Sequence, residues 1–271
     1  MGKYIRFISF FLIIVFISGG ALFADTLRID NPKIKVKVVP GQTVTGSIGI
    51  ENLSDENITI RAYLEDFRYL QPFDGTKEFI APGVVENSCS EWVSFSPQEF
   101  VLPASGKKQV FYSINVPQGV SGGYYSVLFM ESHIGFTQDS EGKQVMVMGR
   151  IGSLLFIETQ DSLKRAEITR LDASGNRVYG SIKNTGNVIL IAKPVFYVMD
   201  ESGLVADRGK PAEMFLNPGD ETSFSLDVSE SLAPGRYIAV ITFDLEDQDV
   251  EIKEAVFSKD SFSGIRILEI R

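Results

Sequence analysis

The chain has 271 residues, a formal net charge of −9, one cysteine (Cys89) and one histidine (His133). That acidity argues against a nucleic-acid partner, which needs a basic face. A single cysteine excludes an internal disulfide, and one cysteine with one histidine excludes the usual zinc spacings.

The chain opens as a secretory leader. Lys3 and Arg6 precede a run from 7 to 23 that is apolar apart from Ser9, Ser18 and the Gly19-Gly20 pair, and Ala21 and Ala24 offer a cleavage point before Asp25. Loss of residues 1–24 removes Lys3 and Arg6 and no acid, so the net charge of −9 becomes −11. The alternative is an uncleaved membrane anchor, which the shortness of the run and its glycine pair oppose. Cys89 is far from the leader, so no lipidated N-terminus is expected. The expectation is an exported protein, in the periplasm or at the cell surface, with no stable membrane insertion after cleavage.

From residue 25 onward, period-two alternation broken by Gly and Pro predicts strands almost throughout. In the first half these fall at 27–29, 34–39, 44–51, 58–69, 92–95, 109–116, 124–131 and 145–157. The stretch 71–91 is the longest irregular piece and a candidate functional loop, and the polar run 137–143 reads as a hairpin tip. After a short boundary at 159–163, strands recur at 165–171, 178–183, 195–199, 222–228, 237–245, 250–257 and 265–270.

One phrase occurs twice. Tyr112, Ile114 and Val116 alternate, a turn holds Gly122, and Tyr124 opens the next strand; Phe224, Leu226 and Val228 alternate, Pro234-Gly235 turn, and Tyr237 opens the next. Each copy has an earlier partner, Gly46-Ser47-Ile48 leading to Asn52 and Gly180-Ser181-Ile182 leading to Asn184. A tyrosine in that place is where a tyrosine corner sits in immunoglobulin-like sandwiches. The expectation is an all-β protein of two tandem immunoglobulin-like β-sandwich domains, 25–159 and 160–271, without catalytic activity or cofactor.

Three patterns suggest chemistry. Gly119-Val120-Ser121-Gly122-Gly123 matches a nucleophile elbow in letters, but a strand follows it where that motif needs a helix. Its only possible base is His133, at the far end of that strand. Asp244, Glu246, Asp247, Asp249 and Glu251 alternate faces of a hairpin and lack the glycine-spaced loop that wraps calcium, so a solvated tip is expected. Two aromatic sets, Trp92 with Phe95 and Phe100 and Phe67 with Tyr69 and Phe73, read either as core or as a carbohydrate platform.

Two stretches resemble the N-terminal domain of periplasmic pilus chaperones of the PapD type: Val38 through Gly49-Ile50-Glu51-Asn52 to Glu65, and Phe95-Ser96-Pro97 through Leu102 to Gly106 and Val110. A second resemblance, to the exported proteins that partner WxL cell-wall proteins, rests on Ile114-Asn115-Val116-Pro117, Gly122-Gly123-Tyr124 and Arg150-Ile151-Gly152-Ser153-Leu154-Leu155. The chain departs from both: Gly119 to Tyr125 stands where the pilus chaperones carry an acidic-Arg-Glu-Ser segment, and the membrane helix and basic tail of the WxL partners are missing from the sequence given.

The resemblance implies β-augmentation, in which an edge strand completes a partner's sheet. The 145–157 strand suits that role, with Met146, Met148, Leu154 and Phe156 on one side. It further implies a basic pair gripping the partner's terminal carboxylate, with Arg150 as one member and Lys35 or Lys37 as the other. The competing readings are an internal strand apolar on both faces, with Arg150 in a surface ion pair, and a surface module that binds glycan or wall material through the 71–91 loop. The expected partner is an exported or cell-surface protein.

Overall fold

The computed structural model describes residues 27–247, 249–260 and 264–271; the expected leader lies outside them. Four strands form one sheet of the first sandwich, in the order β1 (Leu27–Ile29), β3 (Thr43–Asn52), β8 (Lys107–Asn115) and β6 (Val93–Ser96). The opposing sheet runs β2 (Lys33–Val38), β10 (Gln144–Thr159), β9 (Gly123–Gln138) and β4 (Ile58–Tyr69), with β5 (Lys77–Ile80) and β7 (Glu99–Leu102) both pairing β4. Asn31-Pro32 breaks the first strand, because proline cannot donate to a ladder. The chain therefore starts antiparallel to β3 in one sheet and continues parallel to β10 in the other.

The second sandwich sets β11 (Ala166–Ser174), β12 (Arg177–Asn184) and β16 (Glu221–Asp227) against a larger sheet. That sheet runs β14 (Val205–Gly209), β13 (Leu190–Met199), β17 (Gly235–Asp244), β18 (Val250–Asp260) and β19 (Gly264–Ile270), with β15 (Met214–Leu216) also on β13. Alternation dictates the faces: Tyr237, Ala239, Ile241 and Phe243 of β17 point into the core while Ile238, Val240 and Thr242 point out.

The first sandwich has its interior around Ile48, Ile60, Val110 and Met130, continued by Val38, Ile114, Leu155 and Ile157. The second core does not stop at its own sandwich. It runs without a break onto the outer face of the β10-β9-β4 sheet, taking in Phe67, Tyr69, Phe73, Tyr125, Val127 and Phe156. Near the junction that sheet is buried on both faces, which is why its strands read as continuous apolar runs there.

Polar bonds fix the junction as well. The Tyr69 N–H donates to Asn217 Oδ1 (3.2 Å), and Asn217 Nδ2 donates to the Tyr69 carbonyl (3.0 Å). The Phe215 N–H donates to the Phe73 carbonyl (2.8 Å), and the Ile189 N–H to the Tyr125 hydroxyl (2.6 Å). The 71–91 segment is thus no free loop. It contains β5 and a 3₁₀ turn at Ser90–Trp92, docks on β15 through Phe73, and is held from beneath by buried Asp66. That carboxylate accepts from the Val84 and Val85 amides and the Ser88 and Ser90 hydroxyls.

Candidate functional site

The 145–157 strand divides into two parts. β10 pairs β9 along almost its whole length, but on its other side β2 covers only Leu154 to Thr159. Residues 144–153 form an open edge; 154–159 form an internal strand. The open part has the edge that strand addition would need, and the closed part is an internal strand.

Backbone directions follow from one bond. The Leu154 N–H donates to the Pro32 carbonyl (3.0 Å), toward the β2 side. By alternation the N–H and C=O groups of Gly152, Arg150, Met148 and Met146 point the same way, where no described strand lies. Beyond Glu131, the last β9 residue paired with β4, the β9–β10 hairpin stands as a two-stranded arm. Its register slips between Val147 and Met148, which places Phe136 opposite Met146 and His133 opposite Met148. Phe136 (61% exposed), Met146 (57%) and Met148 (44%) make this arm an exposed apolar ribbon.

The other expected contact residues lie elsewhere. Phe156 is 3% exposed and pairs Lys35, so it is core; Leu154 is half-buried with its backbone already paired to Lys33. Arg150 is engaged on the outer face of the sheet. Its guanidinium bonds Glu65 (3.0 Å) and the Tyr63 hydroxyl (3.3 Å), and lies 4.2 Å from the Phe129 ring centroid and 5.2 Å from that of Phe79. Gly152 makes room for this stack, since a Cβ there would come within 2.7 Å of Phe129 and of Val127.

Lys35 belongs to an ion cluster at the junction. Its ammonium lies 3.1 Å from Glu246, 3.7 Å from Asp247 and 3.9 Å from Glu158. Burial works against its charge, but Glu158 and Glu246 outweigh that and hold its pKa above the usual lysine range. Lys164 and Lys193 reach the same two acids, Lys164 to Asp247 at 2.5 Å and Lys193 to Glu246 at 3.3 Å. Burial pushes Glu246 up, yet the Lys35 hydrogen bond and the surrounding ammonium groups bring it below the ordinary carboxylate range; Lys164 does the same for Asp247. Lys37 is exposed on the same face of β2.

One lysine that sequence reasoning missed has the more telling position. Lys33 is the first residue of β2 and stands where the open lane beside β10 ends. It forms no ion pair with any described residue, and its ammonium sits 4.5 Å from the Phe156 ring centroid. Burial lowers its pKa. The pattern Lys33-Ile34-Lys35-Val36-Lys37 put all three lysines on one face. Only the pairing of β2 shows which of them ends the lane.

The tempting motifs resolve plainly. Ser121 donates to Asp161 (2.5 Å) in a turn between strands, and His133, ten residues along β9 from Gly123, lies about 30 Å away. Glu246 and Asp247 turn toward lysines. Phe67, Tyr69, Phe73 and Phe100 are buried, and half-buried Trp92 packs on Tyr124 at 4.4 Å, so neither aromatic set forms an exposed platform.

Comparison with solved structures places this architecture. The class 5 fimbriae chaperone CfaA superposes with a TM-score of 0.51 at 17% identity, over 83% of this chain and 97% of that one. The chain has the fold of a PapD-like fimbrial chaperone. The E. coli chaperone DraB is also similar (TM-score 0.42, 10% identity, 90% of this chain and 97% of that one). No protein-family model matches the chain, and no curated protein matches it in sequence.

Proposed function

We propose that the chain is an exported, non-catalytic binding protein of the cell envelope, of chaperone or assembly type, that takes up a segment of another exported protein by β-strand addition along residues 144–153 of β10. The observation that carries this reading is the half-paired β10. A long edge with unpaired backbone groups and apolar side chains is an aggregation hazard unless it serves a partner. No proline lies in 144–153 to blunt it, and the residues whose backbone groups face outward include Met146 and Met148. Methionine is deformable and suits a surface that accepts more than one sequence.

Lys33 gives the lane a direction. A partner strand running parallel to β10, colinear with β2, brings its C-terminal end to Pro32 and its carboxylate to the Lys33 ammonium. Lys33 is therefore preferred over Lys35, Lys37 and Arg150 as the carboxylate contact, since Lys35 and Arg150 already hold acids of this chain. The lane admits at most the ten positions 144–153 before Pro32 closes it.

Amide hydrogen exchange tests the reading. In the free protein the amides of Met146, Met148, Arg150 and Gly152 exchange fast, while those of Leu155 and Ile157 stay protected. A bound partner strand slows the first set and leaves the second unchanged. Met148→Asp abolishes binding while the thermal midpoint moves by no more than a few degrees. Slow exchange at all four outward amides in the free protein would refute strand addition.

A further inference from the structure

The ion cluster at the junction bounds a cleft of about 750 Å³ lined by Lys33, Lys35, Lys193, Asp244, Glu246 and Asp247. The acids reach it from the β17–β18 tip, whose backbone is unusual. Glu246 (φ 69°) and Asp247 (φ 53°) both occupy the left-handed region, which non-glycine residues adopt at a cost. Asn and Gly adopt that region at the least cost. Here the same two places hold Glu and Asp, and both carboxylates point into the lysines. The turn forgoes its easiest residues and gains two anions inside a cationic cleft.

Those anions have the chemistry of a chain terminus. They line the same cleft as Lys33, and Lys33 is the end of the open lane. Lys164 ties the arrangement together, because its side chain is 5% exposed and Glu246 and Asp247 are its only described ion partners. A buried ammonium without a counter-charge is strongly unfavourable, so the site demands an anion from somewhere.

We propose that the β17–β18 tip is an intramolecular stand-in for a partner's carboxylate: Glu246 and Asp247 fill the lysine-lined cleft in the free protein and give way when a chain terminus or other carboxylate enters it. This rests on the strand-addition reading for the identity of the incoming group, but not for the presence of the site. The alternative role of the same contacts is fixed fastening between the two sandwiches.

The double variant Glu246→Asn/Asp247→Gly separates the two, since it removes the carboxylates and supplies residues that tolerate a positive φ. The probe is succinate, titrated against chloride at matched ionic strength. The expected result is saturable succinate binding to the variant at least ten-fold tighter than to the native protein, with a succinate-dependent rise in its thermal midpoint. The single variants Glu246→Gln and Asp247→Asn fall between. Equal affinity for folded variant and native protein, or no saturable binding to either, overturns the proposal and leaves fastening as the role.

A ten-residue alternating Val-Thr peptide, with free or amidated C-terminus, tests the link to the lane. Under the proposal the variant binds the free-acid peptide more tightly than the native protein does, and the amide gains nothing. Succinate binding without any peptide binding would keep the site and sink the strand-addition reading.

Discussion

Two asparagines show how far a residue can be read before its fold is known. Asn52 and Asn184 end the matched phrases that mark the two sandwiches, and each is fully buried. Each donates through Nδ2 to the carbonyl four residues on, Glu56 at 2.7 Å and Val188 at 2.8 Å, and to one from the next segment, Pro103 at 2.9 Å and Leu216 at 3.0 Å. Each also accepts an amide two residues on. The repeat was visible as letters because both asparagines do one job. The tyrosines differ. Tyr237 makes the expected corner, bonding the Ala233 carbonyl at 2.9 Å, but in the first sandwich Tyr124 packs on Trp92 and its neighbour Tyr125 crosses the junction to Ile189. Nothing local to Tyr125 announces that partner, which lies 64 positions away. Tyr125→Phe leaves the buried Ile189 amide unsatisfied and should cost about 1–3 kcal/mol, read as a lower urea midpoint with an unchanged slope. An equal midpoint would mean that water reaches the amide. Cys89 is inert for a related reason: burial pushes its thiol up to about 12, and Sγ lies 3.0 Å from the Ser126 hydroxyl. A thiol reagent at pH 8 should label it only after unfolding.

At the scale of elements, the arm carries binding without carrying stability. A two-stranded ribbon is marginal in water by itself, and no residue from 132 to 149 belongs to any core cluster among the described residues. Replacing 136–146 with Asn-Gly joins Gly135 to Val147, which already face each other, through a turn suited to a hairpin. The thermal midpoint should stay within about 2 °C, and partner binding should be lost. A large fall in stability would show that the arm packs onto the body in solution. Most strands legible in the sequence were long enough to alternate several times, the short β1 and β6 being exceptions. β5, β7, β14 and β15 were not, since they span three to five residues and take their conformation from the strand beside them. The same cause hid the division of β10. Apolar residues occur in both parts, and only the point where β2 begins separates an open edge from an internal strand.

The molecule as a whole is two sandwiches joined by a shared apolar core, by neutral hydrogen bonds and by one ionic cluster, and these respond differently to acid. Glu246 and Asp247 have pKa values lowered by Lys35, Lys164 and their neighbours Lys33 and Lys193, with Asp244 and Glu158 also facing the cluster. A carboxylate whose folded pKa is depressed contributes stability that is present above its unfolded value, about 4, and is lost as pH falls through the folded value. From pH 7 to about 5 the cluster should therefore be unchanged. Below about 4 it should loosen, and the amide of Glu246, which donates to Asp244 Oδ1, should lose protection. The Tyr69–Asn217, Phe73–Phe215 and Tyr125–Ile189 bonds are made by groups that do not titrate in that range, and Phe67, Tyr125 and Phe156 join the second sandwich through apolar contacts. Small-angle scattering should then give the same radius of gyration at pH 7 and pH 3.5, so long as far-UV circular dichroism shows the strands intact. An expansion that tracks the release of the tip would make the ion cluster the principal clamp. A constant radius with a freed tip would mean that the cleft can empty and refill while the two sandwiches keep their angle, as a binding site at this junction requires.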